Sequence, residues 1–151
     1  METSIPDSVN EGDKFSIDWA TSFNLEAPQD KTKAKDWINY GNQLSRIGLY
    51  KEAVAAFDEA IKLNGDLEQA WYARGLALSY NQEYQKAFES FDKATQIHPQ
   101  FYQAWRWRGL LLLGFLNNPE EALKSFDKAI AINKRDFTLQ SWRGASVSLL
   151  Q

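Results

Sequence analysis

Residues 68–101 read EQAWYARGLALSYNQEYQKAFESFDKATQIHPQF, and the rest of the chain copies them. Moved back by one length, this stretch overlies residues 34–67. Moved forward, it overlies 102–136 with one residue inserted. The anchors stay in register. Trp71 meets Trp37 and Trp105, and Gly75 meets Gly41 and Gly109. Tyr84 meets Tyr50, Ala87 meets Ala53 and Ala122, Phe91 meets Phe57 and Phe126, and Ala94 meets Ala60 and Ala129. A period of this length marks stacked supersecondary units, none of which buries its apolar face alone. Function is then sought on the surface that stacking creates.

Within each unit the apolar residues recur at helical spacing. In the middle unit Trp71, Gly75 and Leu78 mark a first helix. A polar break at Asn81-Gln82-Glu83 separates it from a second, marked by Tyr84, Ala87, Phe88, Phe91 and Ala94. Pro99 ends the second helix, because proline cannot continue a helix and disfavours helical backbone just before it. In the third unit the break is Asn117-Asn118-Pro119. There Asn118 is suited to capping, Pro119 to the first helical position, and the turn to taking the extra residue. Small residues let the helices of a pair approach to about 8–10 Å. Gly41, Gly75 and Gly109 are therefore expected to face Ala53, Ala87 and Ala122, with Phe57, Phe91 and Phe126 packing on the next pair. Residues 137–151 (FTLQSWRGASVSLLQ) begin a seventh helix that keeps Arg143-Gly144. It reads either as a capping helix or as the first half of a further repeat.

The pattern Trp-x-x-x-Gly…Tyr-x-x-Ala-x-x-x-Phe-x-x-Ala resembles the tetratricopeptide repeat (TPR) family over residues 34–136. The resemblance implies an all-α fold, a right-handed superhelix of antiparallel helix pairs, without catalysis or cofactor. It also implies a concave groove, lined by the first helix of each pair, that holds a peptide or a partner helix. In this register the groove positions are polar in the first unit (Ile38, Asn39, Asn42, Ser45, Arg46). They become apolar and aromatic further on. The residues singled out for partner binding are Tyr72, Leu76, Tyr80, Arg106, Trp107, Leu110, Leu113 and Trp142. Tyr, Trp and Arg dominate the energetics of such surfaces. The family's basic clamp for a chaperone C-terminal carboxylate is matched only at Asn42. Ile38, Ala73, Gln103 and Trp107 occupy the other places, which argues against that ligand.

Where the family often has Leu before the glycine, this chain has Arg74, Arg108 and Arg143, but Tyr40 in the first unit. Asp58, Asp92 and Asp127 each follow the phenylalanine of a second helix. The stagger predicts ion pairs between neighbouring units: Asp58–Arg74, Asp92–Arg108 and Asp127–Arg143. Arginine suits partly buried carboxylate contacts better than lysine does.

Upstream of the repeats, residues 1–33 carry Pro6, Gly12 and Pro28, and composition predicts a largely disordered arm. Residues 1–30 hold seven acids against Lys14 alone, a net −6 in a chain of −3, so a mildly basic body follows. One segment, 15–25, departs from that reading. Phe15, Trp19 and Phe23 form a helical stripe, the mark of something that docks on this protein, on a second copy or on a partner. One expectation is that the arm fills the groove, in cis or swapped to a neighbour.

The remaining chemistry is sparse. With no Cys, the chain has no disulfide, thiolate metal site or cysteine nucleophile. A single histidine, His98 at a helix end, builds no multi-histidine metal site. Glu120 and Glu121 suit the first turn of a helix. Each repeat glycine stands alone in a helix, so none forms a phosphate-binding loop. Lys124, Lys128, Lys134 and Arg135 read as a solvated face. The negative net charge argues against nucleic acid, and the sequence shows neither a secretory leader nor an apolar run long enough to cross a membrane. The expectation is a cytoplasmic scaffold or adaptor with a protein or peptide partner. The alternatives are a small assembly or secretion-type chaperone, and an oligomer that self-associates through the arm or the last helix.

Overall fold

A computed structural model describes residues 25–151, and among these there are seven helices and no strand. They are α1 (Ala34–Arg46), α2 (Tyr50–Leu63), α3 (Glu68–Tyr80), α4 (Tyr84–Ile97), α5 (Tyr102–Gly114), α6 (Pro119–Ile132) and α7 (Phe137–Ser148). Helices α1–α2, α3–α4 and α5–α6 pair through short turns, and each pair stacks on the next, with α7 on α6. None of α1 to α5 has a side-chain N-cap. In α6, Asn118 accepts from the Glu121 amide and Pro119 takes the first position, as the sequence indicated. In α7, Asp136 caps Thr138. Most of the helices therefore depend on packing rather than on caps.

The turns inside the pairs share one device. Gly48 (φ +83°), Gln82 (φ +63°) and Asn117 (φ +49°) each place a residue in left-handed backbone. Glycine adopts this freely, whereas a side chain costs about 1 kcal/mol there. Gln82→Gly should therefore raise stability by about 0.5–1 kcal/mol. A thermal melt showing no gain would mean that its neighbours already relieve the strain.

The core differs from the sequence expectation in one respect. Each repeat glycine has the phenylalanine of its own pair as its nearest neighbour, where the sequence reading had placed the alanine. A methyl group at Gly41 would meet the Phe57 ring at 2.6 Å, one at Gly75 the Phe91 ring at 2.8 Å, and one at Gly109 the Phe126 ring at 2.6 Å. The glycine is a seat for an aromatic ring, so helix approach is set by the ring's thickness and not by contact between two small residues. Phe57, Phe91 and Phe126 are fully buried. Contact with the next unit is shared: Ala56 and Phe57 cluster with Ala77 of α3, and Ala129 with Leu139 of α7.

All three predicted ion pairs form. Arg74 Nε donates to Asp58 Oδ1 at 2.7 Å, Arg108 Nε to Asp92 Oδ1 at 2.8 Å, and Arg143 Nε to Asp127 Oδ1 at 2.6 Å. The first two arginines reach further. Arg74 Nη1 donates to Ser90 Oγ at 2.7 Å, and Arg108 Nη1 to Ser125 Oγ at 2.6 Å. Both serines are fully buried, and each also donates to the carbonyl four residues back. Each arginine thus ties the aspartate of the preceding unit to the serine of its own pair. The first unit has Tyr40 and Ala56 in the two corresponding places, so the whole device is absent there.

Candidate functional site

The first helices of the repeats, α1, α3 and α5, stand side by side. Between α1 and α3 lies a hollow of about 350 Å³ lined by Asn42, Ser45, Tyr50, Ala73, Leu76, Ala77 and Tyr80. Its floor is apolar, from Ala73, Leu76 and Ala77. Its α1 wall offers the amide of Asn42 and the hydroxyl of Ser45. At one end Tyr80 stacks on Tyr50, with centroids 5.3 Å apart and planes at 18°. Tyr80 remains 59% exposed, so its ring is available to a ligand. The hollow thus combines an apolar base, two neutral polar groups and an aromatic edge, a lining of mostly apolar groups with a few polar ones.

Of the eight groove residues read from the sequence, Leu76 and Tyr80 come together here. Tyr72 lies further along, half-buried. Its ring packs on Phe101 at 4.7 Å and on Phe91 at 5.7 Å. Burial pushes its phenol above the ordinary value, while the neighbouring Trp107 indole and Arg106 charge act the other way. Trp107 lies parallel to Phe91 at 6.0 Å and is half-buried. Leu110 and Leu113 pack against the core of the third repeat. Arg106 is drawn towards α7, its Nη1 3.7 Å from Asp136 Oδ2. Its Nε is buried without a hydrogen-bond partner among the described residues. Asp136 is held below the usual carboxylate range, chiefly by the hydrogen bond from Thr138, with Arg106 adding to it. Trp142 stands apart on α7, 41% exposed. Phe15, Trp19 and Phe23 of the arm lie outside the described residues.

Three contributors were not singled out from the sequence: Tyr50, Asn42 and Ser45. Tyr50 begins a second helix and shares the repeat's Tyr position with Tyr84, which marked it as structural. Asn42 and Ser45 were placed on the groove but set aside as its polar end. The useful signal was the contrast between units: where Tyr80 forms the edge of the hollow, the corresponding residue of the first unit is Arg46.

The described helices include none long and apolar enough to cross a membrane. No curated protein matches the chain. Several solved structures do. YrrB, described as a TPR protein with an unusual peptide-binding site, is 23% identical with a TM-score of 0.72. That alignment covers 87% of this chain and 64% of the other. The Arabidopsis OM64 TPR domain is 24% identical over 75% of this chain and 93% of its own, with a TM-score of 0.70. The first TPR of Spaghetti (RPAP3), bound to the HSP90 peptide SRMEEVD, is 20% identical over 81% and 97%, with a TM-score of 0.73. At these identities the likeness is one of fold. Family models described as tetratricopeptide repeat match residues 68–101 and residues 34–67 and 102–136. With three stacked helix pairs and one further helix among the described residues, and three matched repeats across 34–136, this chain belongs to the tetratricopeptide repeat family.

Proposed function

We propose that this chain is a protein-interaction scaffold that takes a peptide, or one face of a partner helix, into the hollow between α1 and α3. The exposed Tyr80 stacked on Tyr50 beside an apolar floor carries the reading. An aromatic side chain held by a neighbour gives a ligand contact area at little entropic cost. Tyr72 and Trp107 extend the same face towards α5. Like YrrB and the RPAP3 domain, whose descriptions name a peptide or a peptide-binding site, the chain has the fold for such a ligand. The residue chemistry differs from a carboxylate clamp: Asn42 and Ser45 offer neutral hydrogen bonds, so the favoured ligand is an internal segment with an apolar anchor.

The test is selection of binding peptides from a displayed random library. Tyr80→Ala should weaken the selected peptides by about tenfold or more while leaving the melting temperature nearly unchanged. Leu76→Ser should act in the same direction. Peptides that bind both variants as tightly as the wild type would move the site elsewhere.

A further inference from the structure

Helix α7 is built like an internal helix. Arg143-Gly144 repeat Arg74-Gly75 and Arg108-Gly109. In the internal repeats the glycine carries a phenylalanine ring, and the arginine Nη1 holds the serine just before that phenylalanine. On α7, nothing among the described residues lies within 4 Å of a methyl group placed at Gly144. Arg143 uses Nε on Asp127 and is 45% exposed. Around it Phe137 is 79% exposed and Trp142 41%. The seat is formed, and the repeats specify what fits it: a helix presenting Ser-Phe.

Ser-Phe occurs three times in the chain, at Ser22-Phe23, Ser90-Phe91 and Ser125-Phe126. The last two already fill internal seats. Phe23 is in register with them, 14 positions before Trp37, as Phe57 is before Trp71 and Phe91 before Trp105. The repeat geometry also extends upstream of α1. Trp37 Nε1 donates to the Lys31 carbonyl at 3.3 Å, as Trp71 does to Gly65 at 2.8 Å and Trp105 to Pro99 at 2.9 Å. Asp30 Oδ1 accepts from the Thr32 amide as Asn64 Oδ1 does from Asp66. The turn into α1 thus repeats the turn into α3, although residues 25–28 are not helical where their counterparts 59–62 belong to α2. Trp19 stands where Ala53 and Ala87 stand and needs more room. On α7, Gln140 and Val147 replace the larger Trp105 and Leu112.

We propose that residues 15–24 of a second copy dock on α7, with Ser22-Phe23 completing the Arg143–Gly144 seat, so that copies associate head to tail. The same chain cannot reach. Leu25 packs on the core of the first repeat, and two residues span at most about 7 Å. The distance to α7 is three stacking steps of about 8–10 Å each. Towards its own copy, the docked segment lies over a hollow of about 450 Å³ beside Trp37, Tyr40 and Leu44. Arm and seat are different surfaces, so the contact is heterologous and leaves one of each free at the ends of a dimer.

Sedimentation velocity on the 151-residue chain tests this, from micromolar upward. The wild type should associate with rising concentration. Phe23→Ala and Gly144→Leu should each weaken association by at least about tenfold. Gly144→Leu should keep the wild-type melting temperature, since its site is open; if it melts lower, Gly144→Ala replaces it. The decisive sample is the mixture. Phe23→Ala keeps a good seat and Gly144→Leu a good arm, so together they should form a 1:1 dimer that grows no further. A wild type still monomeric at about 1 mM, single variants that associate like the wild type, or a mixture no better than its parts would each overturn the proposal.

Discussion

Phe91→Ala is expected to unfold about 3–5 kcal/mol more easily than the wild type, the usual cost of removing a buried aromatic ring. Phe91 is fully buried, and its ring rests on Gly75 with no side chain between. It also contacts Tyr72 and Trp107, the wall of the candidate groove. The cavity left cannot close from the α3 side, because glycine has nothing to move into it. Small domains have only about 5–15 kcal/mol of stability in total, so a large share would be lost. Denaturant melts followed by circular dichroism measure it. A loss under about 1 kcal/mol would show that the pair re-closes, contrary to the seat argument.

The second large effect is at Arg108. Its side chain is 13% exposed and meets Asp92, Ser125 and Glu121, with the guanidinium 5.0 Å from the centre of the Phe88 ring. Removing it takes the cation from Asp92 and the donor from the buried Ser125 hydroxyl together, leaving Asp92 only Gln96 and Ser125 only the Glu121 carbonyl among the described residues. Arg108→Ala should cost about 2–3 kcal/mol, below the figure for a fully buried pair because Asp92 is a third exposed. The end rung should behave differently. Arg143 and Asp127 are 45% and 50% exposed, and Arg143→Ala should cost no more than about 1 kcal/mol. Asp92→Asn is the milder companion test. If neither it nor Arg108→Ala lowered the melting temperature, the arginine would be an ornament of the surface and not a coupler of repeats.

The period made the helix pairs legible, because a residue type recurring at one spacing must meet the same environment each time. The stagger of Arg against Asp made the ion pairs legible by the same logic. What escaped were relations that leave no stagger. The pairing of Gly75 with Phe91 was missed because two small residues looked the natural partners, yet the flat ring needs the glycine more than the alanine does. Ser90 and Ser125 carried no signal by themselves. They acquire meaning only beside Arg74 and Arg108, and beside the joint change to Ala56 and Tyr40 in the first unit. In the groove, Leu76 and Tyr80 were legible as departures from the first unit. The turn of Arg106 towards Asp136 was not, since it depends on where the α6–α7 connection places one carboxylate.

Arg74 and Arg108 each take an aspartate from one unit and a serine from the next. The second or the third unit can therefore be duplicated or deleted in the gene without stranding a charge, because the new joint again brings an Asp to an Arg; the first unit, with Tyr40 in the arginine's place, lacks this freedom. A cut of any other length brings together unmatched halves. The ladder thus gives the array a length quantum: such chains are free to grow or shrink by complete units, and selection acts against fractions of one.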